Sequence, residues 1–192
     1  MLNKQFQDEI KPKLKKKLGV KNSLAVPQVE KVIVNMRVTD AKENKKAIEE
    51  PMVDLAKITG QKPRICRAKR AISSFSLSQG DPIGLKVTLR ERKMYDFLER
   101  IFKLVLPRVR DFRGLSADQF DDFGNYNFTL EDQSVFPEID VDKIEKTRPL
   151  QITVVTSTDS TKEAIELLVS LGLPLTKEEP MNQGKRGSGL KK

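Results

Sequence analysis

Seven cationic side chains fall between residues 61 and 90: Lys62, Arg64, Arg67, Lys69, Arg70, Lys86 and Arg90. They face a single acid, Asp81. That window alone carries +6 in a chain whose total is +9. Guanidinium and ammonium groups held at fixed spacing on a rigid frame neutralise phosphates, which is how folded nucleic acid is gripped. Catalysis is poorly served by contrast. The 192 residues contain no histidine, which removes the commonest general base and metal ligand and the Ser-His-Asp and Cys-His systems with them. The lone Cys66 excludes an internal disulfide and a cysteine-only metal site. Adjacent carboxylates occur at Asp121-Asp122 and Glu131-Asp132, but in polar segments they read as turn residues. The stretch from Gly80 to Lys86 has the wrong spacing for a phosphate-cradling loop and leads into a strand, not a helix. No metal, no cofactor and no enzyme activity are expected.

The elements that must hold these cations can be read from periodicity. Four segments have the apolar spacing of helices. In the first, Phe6, Ile10, Leu14 and Leu18 recur every four residues, with Asn3 as the expected cap and Gly19 as the stop. Pro12 within it is expected to kink the helix or delay its start. The second runs from about residue 43 to Thr59, with Ile48, Met52, Leu55 and Ala56 on one side, Pro51 inside and Gly60 at its end. The third carries Met94, Phe97, Leu98, Ile101, Phe102 and Val105 and closes at Pro107; the fourth runs from Thr161 to Leu171. Between them, Val32, Val34 and Met36, then Leu85, Val87 and Leu89, then Ile152 and Val154 alternate with polar neighbours as strands do. Residues 64–70 and 125–130 are two further candidates. The order predicts an α+β fold, a largely antiparallel sheet with helices packed on its apolar face.

Turning the aliphatic sets inward leaves Lys31, Asn35, Lys86, Thr88, Arg90, Gln151 and Thr153 outward, with Ile33 and Val155 as exceptions. The face is either an ordinary solvated one or a surface for RNA. It has no aromatic residue on which single-stranded bases could stack, so as an RNA surface it suits the backbone and shallow groove of folded RNA. In that reading Lys62, Arg67, Lys86 and Arg90 supply charge, while Asn35 and Thr88 supply oriented hydrogen bonds. Residues 73–84 read as a long irregular connection, either a loose hairpin tip or a loop that touches a second RNA.

At this length the chain is one domain, residues 1–177, followed by a basic extension, 178–192, that reads as disordered. No apolar run approaches the about 18 residues needed to span a bilayer, and the Lys-rich start never becomes a signal peptide. A soluble, cytoplasmic protein without a membrane partner is expected. Residues 1–22 form a basic N-terminal helix, with seven Lys against Asp8 and Glu9, whereas residues 114–177 hold twelve acids against five bases. The acidic section is expected to face solvent or a basic protein. Two rivals stand beside this reading. A generic basic chaperone would bind any RNA alike, and a metal-dependent nuclease would need carboxylates on the basic face.

Several motifs occur in order along the chain: Val26-Pro27-Gln28-Val29-Glu30-Lys31, Val34-Asn35-Met36, Thr59-Gly60-Gln61-Lys62-Pro63 and Gln79-Gly80-Asp81-Pro82-Ile83-Gly84. They continue with Lys86-Val87-Thr88-Leu89-Arg90, then residues 107–116 (PRVRDFRGLS), then Phe136-Pro137-Glu138-Ile139-Asp140. Together they resemble the bacterial large-subunit ribosomal protein five family over roughly residues 3–177. The resemblance implies a bent antiparallel sheet backed by helices and a place in the central protuberance of the large subunit, with 5S rRNA as partner. Large-subunit rRNA and neighbouring large-subunit proteins are implied as well. The family's 5S rRNA contacts fall on Asn35, Gln61, Thr88 and Arg90. It further implies that a loop made of Ser73, Ser74, Phe75, Ser76, Leu77, Ser78, Gln79, Gly80 and Asp81 reaches the P-site tRNA. A basic small-subunit head protein is expected to meet Arg108, Arg110, Asp111, Arg113, Gly114 and Leu115 in an intersubunit bridge. The chain departs from the family in three places. Arg37-Val38-Thr39 replaces the usual Gly-Val-Gly, which would strain Arg37 if the turn needs positive φ. Arg64 replaces an aliphatic residue, and the extension 178–192 lies beyond the usual end.

Overall fold

The computed structural model describes residues 2–40, 45–144 and 146–176; the extension 178–192 lies outside them. Five strands, β1 (Val29–Arg37), β2 (Arg64–Arg67), β3 (Pro82–Leu89), β4 (Tyr126–Leu130) and β5 (Leu150–Thr156), form one sheet in the order β2-β3-β1-β5-β4. Every neighbouring pair is antiparallel. Alternation along each strand sends its apolar residues to one face, and the register lines them up across the sheet. Leu89, Val32, Val154 and Tyr126 form one buried row, and Val87, Val34, Ile152 and Phe128 the next. β-branched and aromatic neighbours of this kind stabilise a sheet through their cross-strand contacts.

Helices cover that face. A continuous helical stretch runs through α1 (Leu2–Gln5), a π turn (Phe6–Ile10) and α2 (Lys11–Lys17). Asn3 sits inside its first turn and is not the cap. Pro12 neither breaks it nor delays its start. A proline lacks the N–H and its ring crowds the carbonyl four residues back. The π turn, closed by the Lys11 amide on the Phe6 carbonyl, widens the helix immediately before the proline. The same device recurs after α4 (Glu91–Arg100), where the π turn Ile101–Val105 is closed by the Leu106 amide on the Ile101 carbonyl, just before Pro107. A 3-10 turn, Leu106–Arg108, then carries the chain past that proline. In α3 (Glu49–Thr59) Pro51 falls in the first turn, where no helical N–H is required. Gly60 caps its end at φ 65°, a left-handed conformation that costs glycine nothing.

The layers lock through aromatic and aliphatic contacts. Phe6 stacks on Tyr95 at 5.6 Å and Phe97 on Phe136 at 6.4 Å between ring centroids. Met94, Phe97, Leu98, Ile101 and Val105 are all buried beneath the sheet, as are Ala164, Leu167 and Leu168 of α5 (Thr161–Ser170). Removing one such side chain, Leu98→Ala for example, costs about 2–5 kcal/mol. A charged residue lies at the rim of this core. Arg148, 6% exposed, faces Asp40 at 3.7 Å and Glu50 at 4.0 Å and donates to the Lys146 carbonyl at 3.4 Å. It ties the end of β1 and the start of α3 to the approach to β5.

Three expected boundaries move. β2 ends at Arg67 rather than residue 70, and β4 starts at Tyr126. The connection expected to run to Gly84 stops at Asp81, because Pro82 and Gly84 already belong to β3. Arg37 is the last residue of β1 and lies outside the set of positive-φ residues, so the strain expected there is absent.

Candidate nucleic-acid interface

The face turned away from the helices carries a polar row across all five strands: Arg64, Lys86, Asn35, Gln151 and Thr129 stand opposite one another in that order. The next row on the same face is Thr88, Ile33, Thr153 and Asn127, with the Thr153 hydroxyl donating to Asn127 Oδ1 at 2.6 Å. Lys86, Arg64, Gln151 and Thr129 are exposed; Asn35, Thr88, Thr153 and Asn127 are half-buried. Neither row contains an acid or an aromatic ring. The nearest strand carboxylate, Glu30, is the extra residue of a β-bulge at the start of β1.

Arg90 extends this face beyond β3. Its backbone is still extended (φ −136°, ψ 163°), so it continues the alternation of Lys86 and Thr88, and the chain turns into α4 only at Glu91, at φ 51°. A non-glycine residue in that region is uncommon. Here it separates the strand, which aims Arg90 outward, from the helix, which would have swung it elsewhere. Gln61 follows the Gly60 cap, and its amide nitrogen donates to the Thr88 carbonyl at 3.2 Å, docking the end of α3 against β3. Lys62 beside it is exposed. Asn35, Gln61, Lys86, Thr88 and Arg90 therefore share one surface. Arg67 does not join them: it lies at the far end of β2, opposite Pro82, and donates to the Gly80 carbonyl at 2.9 Å, bracing the neighbouring loop.

That loop is held at both ends. At its base the Ala68 amide donates to the Asp81 carbonyl at 2.8 Å and the Gly80 amide to the Ala68 carbonyl at 3.0 Å. Near its tip Ile72 and Leu77 exchange both backbone bonds, at 2.8 and 3.1 Å, around a 3-10 turn Ser73–Phe75 and a left-handed Ser76. The Asp81 carboxylate accepts from the Ser78 amide at 2.8 Å. A loose tip is not what these bonds describe. Phe75 remains 66% exposed, and with Leu77, Val38, Thr39, Ile83 and Arg37 it lines a largely apolar cleft of about 380 Å³.

The segment 108–115 divides by role. Arg108, Arg110, Asp111 and Arg113 are exposed or nearly so at its surface. Gly114 and Leu115 hold the segment in place. At Gly114, φ 104°, a Cβ would meet the Thr176 nitrogen at 2.8 Å, while the Leu115 amide donates to the Pro174 carbonyl and its carbonyl accepts from Thr176, both at 2.9 Å. Arg108 and Arg110 face Glu131 and Asp132 across a cleft of about 730 Å³.

The paired carboxylates are turn residues. Asp121 accepts from the amides of Phe123 (3.0 Å) and Asn125 (2.7 Å) and from the Asn125 side chain (2.9 Å). Burial works against its ionisation, but these hydrogen bonds outweigh it and hold the carboxyl below its ordinary range. Asp132 caps a 3-10 turn through the Ser134 amide at 2.7 Å. Among the described residues no group of three or more Asp, Glu or Cys is placed to hold a metal ion, and no helix is long and apolar enough to cross a membrane. Arg37, Arg64, Asn127 and Thr129 belong to the open face without being among the expected site residues. Their parity within their strands is the signal that marks them.

The family described as "Ribosomal protein L5" matches residues 22–77, and the C-terminal part of the same ribosomal family matches residues 82–175. A protein named large ribosomal subunit protein uL5 from Caldanaerobacter subterraneus subsp. tengcongensis is 49% identical over 176 residues, covering 92% of this chain and 98% of its own. Proteins of the same name from Dictyoglomus turgidum (49% over 177 residues, 92% and 99% covered) and Salinibacter ruber (45% over 182 residues, 93% and 95% covered) are similar at comparable length. Matched nearly end to end and across both parts of the family, the chain belongs to the ribosomal protein L5 family, whose members are RNA-binding constituents of the large ribosomal subunit and not enzymes.

Proposed function

We propose that this large-subunit protein binds 5S rRNA in the central protuberance through the open face of its sheet. The single observation that carries the reading is the placement of Asn35, Lys86 and Thr88 in two strand rows that hold no acid, with Arg90 continuing the same alternation beside Glu30 and Glu91 and Gln61 docked against Thr88. Strand pairing fixes which face these side chains share, and none of the ion pairs among the described residues engages Lys86 or Arg90. Such a surface reads the backbone and shallow groove of a folded RNA and offers no stacking platform for loose bases. The test is equilibrium binding to 5S rRNA and to an unrelated RNA of equal length across a salt series. Preference for 5S rRNA near physiological salt is expected, and equal binding that vanishes with salt would overturn the reading.

Two further contacts follow from the family resemblance. The braced loop 73–81 supplies a contact to P-site tRNA, and its exposed Phe75 supports this. Phe75→Ala should weaken tRNA contact in assembled ribosomes while leaving 5S rRNA binding unchanged. Arg108, Arg110, Asp111 and Arg113 supply the intersubunit bridge to a basic small-subunit head protein, with Glu131 across the adjoining cleft as a carboxylate partner. Glu131→Gln should loosen subunit association and leave 5S rRNA binding intact.

A further inference from the structure

The sheet register brings together cations that the sequence keeps apart. Arg64, on the edge strand β2, stands directly opposite Lys86 on β3, and both side chains are exposed. Lys86 stands opposite Asn35, and Arg37, two residues further along the same face of β1, stands opposite Gly84. Gly84 in turn stands opposite Cys66. Arg37, Lys86 and Arg64 thus occupy adjoining positions on three neighbouring strands, with only Gly84 and Cys66 between them on that face.

Like charges directly opposite in a sheet destabilise it. Carboxylates placed among them would relieve that cost, yet among the described residues none of the ion pairs engages Arg37, Arg64 or Lys86. The nearest acid along β3, Asp81, is turned to the Ser78 amide instead. The arrangement combines two planar guanidinium forks with one compact ammonium, a donor set suited to phosphate oxygens. Edge strands also carry cations simply to discourage pairing with other chains. That role needs charge at Arg64 on β2 but not the added charge of Arg37, which sits on the central strand.

We infer that Arg37, Arg64 and Lys86 form a phosphate-binding cluster that extends the RNA interface from Asn35 and Thr88 to the β2 edge of the sheet. The inference rests on the proposal that the open face binds RNA. It predicts contacts that position the RNA backbone and carry no sequence information.

The test uses the full chain in a salt series with 5S rRNA and with an unrelated RNA of equal length, comparing wild type, Arg37→Gln, Arg64→Gln, the double variant and Arg64→Lys. Each Gln substitution should lower the magnitude of the log–log salt slope by about 0.7–0.9. It should weaken binding to both RNAs by the same factor, while Arg64→Lys keeps the slope. The thermal midpoint of the free protein should not fall, because no ion pair is lost. Unchanged slopes in both Gln variants, with wild type still preferring 5S rRNA, would overturn the cluster and leave the proposed function standing. A fallen midpoint with unchanged RNA affinity would also overturn it, assigning the residues a structural role. A wild type without preference would sink the 5S reading itself, and the slopes would still decide the cluster.

Discussion

The open face of the sheet and the acidic section beyond residue 114 both carry concentrated charge, yet they use it in opposite ways. On the sheet, Arg64, Lys86 and Arg90 are exposed and take part in none of the ion pairs among the described residues. In the acidic section several carboxylates are engaged within the fold. Asp121 and Asp132 close turns, Glu138 pairs with Arg100, Glu163 accepts from Thr158, and Glu166 pairs with Lys17 of the N-terminal helix. Sign and density of charge are alike in being visible from composition. What separates a binding surface from a structural one is whether the charges find partners inside the fold.

That contrast can be broken most directly at Arg90. Arg90→Ala should cost roughly 1–3 kcal/mol of 5S rRNA affinity, the scale of a hydrogen bond to a charged group, with an unchanged thermal midpoint. Titration and melting of the same sample check it together, and a lowered midpoint would blur the distinction between the two regions. The reciprocal change is Asp121→Ala, which removes three hydrogen bonds from one turn. By analogy with lost helix caps it should cost about 0.5–2 kcal/mol of stability and leave RNA affinity alone, as denaturant unfolding and binding would show.

A smaller effect is expected at Glu99, where hydrogen bonds from Lys103 first and the Leu2 amide second hold the carboxyl down at about 2, against an ordinary value of 4.5. A depressed folded pKa contributes stability that is present above the unfolded value and lost as pH falls through the folded one. Melting should therefore weaken between about pH 4.5 and 2, and Glu99→Gln should flatten that part of the profile. An equally steep profile in the variant would place the acid sensitivity elsewhere. The smallest effect belongs to the exposed pair Lys17–Glu166. Glu166→Gln should change stability by less than about 1 kcal/mol, and a larger loss by denaturant unfolding would mean that the pair docks the N-terminal helix rather than decorating it.

Much of the fold and of the interface is legible in the chain, for a local reason. Alternation at Val32, Val34 and Met36 and at Leu85, Val87 and Leu89 depends only on which face must leave water, and the third helix announces itself through the stripe from Met94 to Val105. The outward set of Asn35, Lys86, Thr88 and Arg90 follows from the same parity. Pro12, Asn3 and the end of the loop at Asp81 escape such a reading because a π turn, the start of a packed helix and a buried strand proline are decided by neighbours in space. That the exposed Arg67 also braces the loop is not legible in the sequence, because nothing local shows that Gly80 returns to meet it.

The α+β class, the two-faced strands and the excess of cations over acids between residues 61 and 90 are legible without any coordinates, since period and charge are properties of the chain alone. Long-range packing settled the rest: β1 lies at the centre, Arg64 on β2 faces Lys86 on the neighbouring β3, and Arg148 is buried between Asp40 and Glu50. Strand order and register are set by how distant apolar faces pack together, and the positions of the charges follow from that packing.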